Sequence, residues 1–122
     1  MNYLCLVYLA RDQLHACPDS ECFAYGQALR ESGHCVAAQA LQPTDTATTV
    51  RLRNGQLSLT DGPFAETKEQ LAGFYLIEAR DLNEAIHWAS KIPPARFGSI
   101  EVRPVRALDV AGSGGQALNA GA

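Results

Sequence analysis

Apolar residues recur along this chain with two periods, and the alternation between them predicts its elements. Asn2 to Leu9 reads as a strand, with Tyr3, Cys5, Val7 and Leu9 on one face and Leu4, Leu6 and Tyr8 on the other. A strand apolar on both faces needs cover on both. Pro18 followed by the acidic Asp19 and Glu21 suits a helix start. Cys22, Tyr25, Gly26 and Leu29 continue at helical spacing until Gly33 stops the helix. Cys35 to Leu41 reads as a second strand, closed by Gln42-Pro43.

Asn54-Gly55 is the strongest turn signal in the chain and predicts a two-residue type I′ hairpin. That turn pairs Arg53 with Gln56, Leu52 with Leu57, Arg51 with Ser58 and Val50 with Leu59, so all four aliphatic residues share one face. If the strand stays extended through Thr60, the same parity points Asp61 toward the covered side of the hairpin. Thr67 and Gln70 have capping-box spacing and suggest a single helical turn after a corner at Phe64. Gly73 to Ala79 is a further strand, again apolar on both faces. Asp81 caps the next helix with Glu84 in the reciprocal position. Its buried stripe is Leu82, Ala85, Ile86, Ala89 and Ile92; Asn83, Glu84, His87 and Lys91 form the wet side. Trp88 belongs to a core or an interface, where its indole N–H needs a partner. Pro93-Pro94 ends that helix, and Ser99 to Val105 is the last strand, placed at an edge by Pro104.

Leaving the hairpin aside, the order is β-α-β-β-α-β, so the expected class is α+β, a ferredoxin-like core with an inserted β-hairpin. Two helices cover only one face of such a sheet. The apolar residues on the second face call for another layer, and the simplest is the same face of a second copy in a two-fold homodimer. Residues 1–109 form one domain. From Val110 the Gly/Ala/Ser-rich residues 110–122 lack any period and are expected to be a disordered tail.

Composition narrows the function classes. With 122 residues, 47% hydrophobic and 19% charged, the chain supports a single globular core. A net charge of -3 with no basic stripe excludes a sequence-independent nucleic-acid binder. The apolar opening lacks a basic flank and ends at Arg11, too short for a leader or a membrane span; a cytoplasmic location and free thiols at Cys5, Cys17, Cys22 and Cys35 are expected. Cys5, Cys22 and Cys35 read as small core residues. His15, Cys17, Cys22, His34 and Cys35 have metal-ligand chemistry but fit no zinc spacing, and Cys17 lacks an evident base as a nucleophile. No metal or cofactor is expected.

The candidate for chemistry is Asp61, a carboxylate set at a strand end before Gly62-Pro63. It reads as a general acid or base, or as a turn residue accepting backbone N–H groups of the Phe64–Thr67 corner. Gly62 and Pro63 form a rigid corner that would shape one wall of a ligand site. Phe64 is a core residue or an apolar lining of that site. Arg51, Arg53 and Arg103 could hold a carboxylate ligand; the plainer reading is a solvated face with Glu101 paired to Arg103.

The run from Asp61 to Glu78, DGPFAETKEQLAGFYLIE, closely resembles the signature of DGPF proteins within the YCII-related family. The opening Asn2-Tyr3-Leu4, the Ala40-Leu41-Gln42-Pro43 turn, Thr49-Val50-Arg51, the stretch from Asp81 to Pro94 and the Glu101 to Val105 ending resemble it as well. This resemblance implies a dimeric α+β barrel with a cleft near the interface. It implies an aspartate at Asp61 and a histidine in the first helix, although Glu21 to Ser32 contains no histidine; Phe23, Tyr25 and Gln27 stand there. One branch of the family acts as a lyase on chlorinated aromatic breakdown products, and DGPF proteins are often encoded beside extracytoplasmic-function sigma factors. Two functions follow. One is a small-molecule lyase or isomerase with Asp61 moving a proton. The other is a non-catalytic ligand-binding or regulatory protein linked to a sigma factor by protein contact.

Overall fold

The doubly apolar first strand becomes an inner strand of the sheet. The structure, a computed structural model, describes residues 1–110; residues 111–122, nearly all of the expected tail, lie outside them. β1 (Asn2–Ala10) pairs antiparallel with β5 (Glu69–Glu78) on one side and with β6 (Ser99–Pro104) on the other. β2 (Cys35–Ala40) completes a four-stranded sheet in the order β2-β5-β1-β6. Helices α1 (Asp19–Glu31) and α2 (Leu82–Ala89) provide the crossovers. The hairpin of β3 (Thr48–Arg53) and β4 (Gln56–Asp61) forms a separate two-stranded sheet. The architecture is that of a ferredoxin-like α+β fold with the hairpin interposed between β2 and β5.

Period two decides what is buried. Tyr3, Cys5, Val7 and Leu9 of β1 and Tyr75 and Ile77 of β5 face the helices and join Leu29, Ala85, Ala89 and Ile92 in one core. Leu4, Leu6, Tyr8, Phe74 and Leu76 lie on the opposite face and stay half-exposed in the single chain. Pro104 pairs with Tyr3 at the sheet edge, where a residue without an N–H is tolerated. Gly73 sits where a Cβ would come within 2.9 Å of the Gln39 carbonyl oxygen, so the close approach of β2 to β5 requires glycine.

The hairpin register is the one the turn predicts: Leu52 faces Leu57 and Val50 faces Leu59, and Asn54 and Gly55 take positive φ of 51° and 74°. Its burial is not. Val50, Leu52, Leu57 and Leu59 are between 61% and 65% exposed, because the hairpin leaves the main sheet as an arm and no other described element covers its apolar face. Asp61, opposite Thr48, is therefore exposed rather than turned into a core.

Three local expectations are also corrected. Residues 62–68 form no helical turn; the Thr67 hydroxyl donates to the Glu69 carbonyl instead of capping, and β5 begins at Glu69. Asp81 does cap α2, accepting from Glu84 N–H at 2.9 Å, but Glu84 reaches back to the N–H of Arg80, not to that of Asp81. Leu82 and Ile86 are 48% and 49% exposed because α2 tilts its small residues Ala85 and Ala89 onto the sheet. Among the described residues no helix is long and apolar enough to cross a membrane.

Candidate functional site

Of the residues singled out in the sequence, Asp61, Gly62, Pro63 and Phe64 follow one another at the base of the arm, while Arg51 and Arg103 stand on different sheets. Asp61 ends β4, and among the described residues its carboxylate has no hydrogen-bond partner. The alternative role, accepting the backbone of the following corner, is thus not taken up in the single chain. Gly62 adopts a φ of +99°, a conformation that favours glycine, and is held by the base of the arm: its N–H donates to Ala47 O at 2.7 Å and its carbonyl accepts from Thr49 Oγ1 at 2.9 Å. Pro63 is half-buried beside it, while Phe64 is 79% exposed and belongs to no core. Arg51 lies exposed on the arm, on the side opposite the aliphatic residues. Arg103, on the main sheet, pairs with Glu101 as the plainer reading expects. Among the described residues no hydrogen bond or ion pair joins either arginine to Asp61.

A cavity of about 640 Å³ lies elsewhere, between the N-terminal half of α1 and the sheet. Val7, Leu9 and Tyr75 form its floor; Cys22, Phe23, Gly26 and Arg30 of α1 form one wall. Leu14, His15 and Cys17 close one end, and residues 38–44 with 70–73 the other. The cavity exists because α1 presses on the sheet mainly through Leu29, its one fully buried residue. One turn earlier stands Gly26, where a Cβ would meet nothing within 4 Å. None of the residues expected to form the site lines this space.

Burial sets the electrostatics here. The Cys22 thiol is pushed up to about 12, first by desolvation and then by Cys17, Asp19 and Glu21. Desolvation likewise raises the Tyr75 phenol, whose ring meets Tyr25 edge-on at 5.9 Å. Tyr25 donates to the Trp88 carbonyl at 2.6 Å and is pushed up to about 12, again chiefly by burial. At the rim Thr44 Oγ1 donates to Gln70 Oε1 at 2.8 Å, and Asp19 and Arg30 add one charge of each sign to the lining. The result is a largely apolar chamber with thiols, a phenol and one imidazole at its walls, suited to a small ring or chain of limited polarity.

First-helix chemistry differs from what the resemblance implies. α1 presents Cys22 and Phe23 where a histidine is expected, and the imidazole near the cavity is His15, from the loop before the helix. His34, beyond the helix, instead stacks on Trp88 at 4.5 Å and bonds Ser32 Oγ at 2.9 Å. Trp88 Nε1 is buried without a partner among the described residues. Those residues hold no group of three or more side chains that could bind a metal. Sequence reasoning weighed His15 and Cys17 only as metal ligands or a nucleophile and set them aside; nothing in the spacing showed that they line a cavity.

The class these elements define is a ferredoxin-like α+β domain with a chamber under its first helix and a projecting hairpin arm. The chain belongs to the YCII-related domain family, which it matches over residues 1–109. It is 47% identical over 77 residues to the uncharacterized protein R00369 of Rhizobium meliloti (strain 1021), a match spanning 62% of each chain. Its fold is similar to that of 5-chloro-2-hydroxyhydroquinone dehydrochlorinase (TftG) from Burkholderia phenoliruptrix AC1100, solved in complex with 2,5-dihydroxybenzoquinone. That likeness has a TM-score of 0.57, covers 88% of this chain and 96% of the other, and carries 14% sequence identity.

Proposed function

We propose that this protein is a small-molecule enzyme of lyase or isomerase type that works as a homodimer. The chamber under α1 holds a small, largely apolar substrate. The arm of a second copy brings Asp61, on the Gly62-Pro63 corner with Phe64 behind it, to the mouth of that chamber, and Arg51 and Arg103 orient an anionic substituent. The two subunits then close as an α+β barrel, sheet against sheet. A carboxylate acting without a nucleophile or metal suits proton removal next to an acidified carbon, with loss or migration of a neighbouring group. The observations that carry the reading are the cavity of about 640 Å³ and, apart from it, an aliphatic arm that no other described element covers. A fold shared with a dehydrochlorinase supports it.

The test uses hydroxylated and chlorinated quinols as probes. Gly26→Leu adds a side chain to the chamber wall where a Cβ meets nothing within 4 Å and removes a helix-interior glycine, so it should keep the fold while weakening probe binding. Asp61→Asn keeps binding and loses turnover. Unchanged binding in Gly26→Leu excludes the chamber as the site; unchanged turnover in Asp61→Asn excludes the carboxylate as the proton carrier.

A non-catalytic, regulatory protein is the second reading, favoured by the exposure of Asp61 and the absence of a histidine in α1. On that reading the arm docks a protein such as a sigma factor. Wild-type protein would then bind probes without converting them and retain the sigma factor through the arm.

A further inference from the structure

The chamber's lining carries a pair of thiols that the proposed proton chemistry does not use. Cys17 Sγ and Cys22 Sγ lie 3.6 Å apart, and both line the cavity. Neither is tied up by a strong hydrogen bond. Cys17 Sγ meets the Pro18 carbonyl at 3.8 Å and Glu21 Oε2 at 3.6 Å. The guanidinium of Arg96 stands 4.0 Å from Cys17 Sγ and is anchored there by Glu21. Cys17 precedes the N-cap residue Pro18, on a loop free of regular structure, while Cys22 is fixed on the first turns of α1. A disulfide needs the sulfurs to approach to about 2.05 Å, a movement that rotation of the loop-borne Cys17 side chain supplies.

We propose that Cys17 and Cys22 form a reversible intramolecular disulfide when the protein meets a hydroperoxide. Cys17 is the attacking sulfur, since it is borne on the loop with the Arg96 guanidinium 4.0 Å away, while Cys22 is held on the helix. The thiolate takes the distal peroxide oxygen, the O–O bond breaks, and the departing alkoxide or hydroxide leaves as alcohol or water after gaining a proton. Cys17 is then a sulfenic acid. Cys22, which burial keeps protonated, attacks it as its own proton passes to the leaving hydroxyl, and water departs. Two electrons move from the two sulfurs to the peroxide. Cys5 takes no part: it is fully buried in the core and pushed up to about 11 by desolvation.

The pair is independent of the proposed catalysis and is tested on the full chain without any substrate. Fully reduced protein is treated with an equimolar amount of hydrogen peroxide, then unfolded, alkylated and digested with trypsin. Cys17 and Cys22 fall in one peptide running from Asp12 to Arg30. The expected result is a loss of about 2 Da from the intact mass, reversed by dithiothreitol, with that peptide alone protected from alkylation. Cys22→Ser should stop at a sulfenic acid on Cys17, a gain of about 16 Da that dimedone traps. Cys17→Ser should form no internal disulfide. Wild-type protein that stays at its reduced mass, or gains only oxygen atoms, overturns the proposal. So does a disulfide that maps to Cys5 or Cys35, or one that survives in either single variant. The wild-type measurement decides the question even if a variant folds poorly.

Discussion

Consider the double variant Leu52→Glu, Leu57→Lys on the arm. The two residues face each other across the hairpin, so the new charges attract and the hairpin itself is preserved. In the single chain both positions are 65% exposed, and folding should change by no more than about 0.5 kcal/mol. In a homodimer the effect is much larger. Complete burial of a Val or Leu side chain contributes roughly 1.5–3 kcal/mol, so covering the exposed part of each arm residue contributes about 1–2 kcal/mol. Across both arms that is on the order of 10 kcal/mol, from which several kcal/mol of lost translational and rotational freedom must be taken. The upper end of that range, about 16 kcal/mol, less about 8 kcal/mol leaves a dissociation constant near micromolar. Losing half of the aliphatic residues weakens it by at least about 1,000-fold. Sedimentation velocity at tens of micromolar should show the wild type at twice 13.1 kDa and the variant at 13.1 kDa, with unchanged circular dichroism. A monomeric wild type, or a variant that still pairs, refutes the argument that the arm is covered by a second copy.

Other expectations concern the fold that carries the chamber. Gly98→Ala places a Cβ 2.0 Å from the Tyr8 carbonyl oxygen, a backbone atom that cannot step aside, and should cost at least about 3 kcal/mol in urea denaturation. Leu29→Ala removes the one fully buried residue of α1 and should cost roughly 2–5 kcal/mol; a smaller loss would mean that α1 is seated by something else. Cys5 has a folded-state pKa of about 11 against an ordinary value of 9.0, so its contribution is intact below pH 9 and is lost as pH rises toward 11. Denaturation midpoints should be flat to about pH 8.5 and then fall, and Cys5→Val should make that alkaline fall shallower.

Where local chemistry specifies structure, the chain could be read directly. Asn54-Gly55 gave both the turn and the register of the arm, since positive φ at two successive positions admits few alternatives. Asp81 and Pro104 were legible for similar reasons: a cap and a missing donor act within one or two residues. Burial was harder. Val50 to Leu59 alternate like a covered strand, yet no other described element lies over them, and the alternation itself does not say what would. Leu82 and Ile86 have the period of a core face, but the tilt of α2 is set by tertiary packing against the sheet. The chamber was invisible because it depends on α1 standing off the sheet at Gly26, a distance fixed by Leu29 and Tyr75 together. For the same reason the sequence pointed to Asp61 by its neighbours but did not show that Cys17 and Cys22 lie side by side, a proximity that comes from how a loop meets a helix.

The strand order has a consequence for how this chain is made. Among the described residues β1 pairs with residues 69–78 and 99–104, so it waits until those later strands have left the ribosome. Through that interval a nine-residue stretch with apolar side chains on both faces has open edges and no sheet to join. Nascent chains stalled before Glu69 should therefore engage holdase chaperones, whereas chains released past Pro104 should escape them.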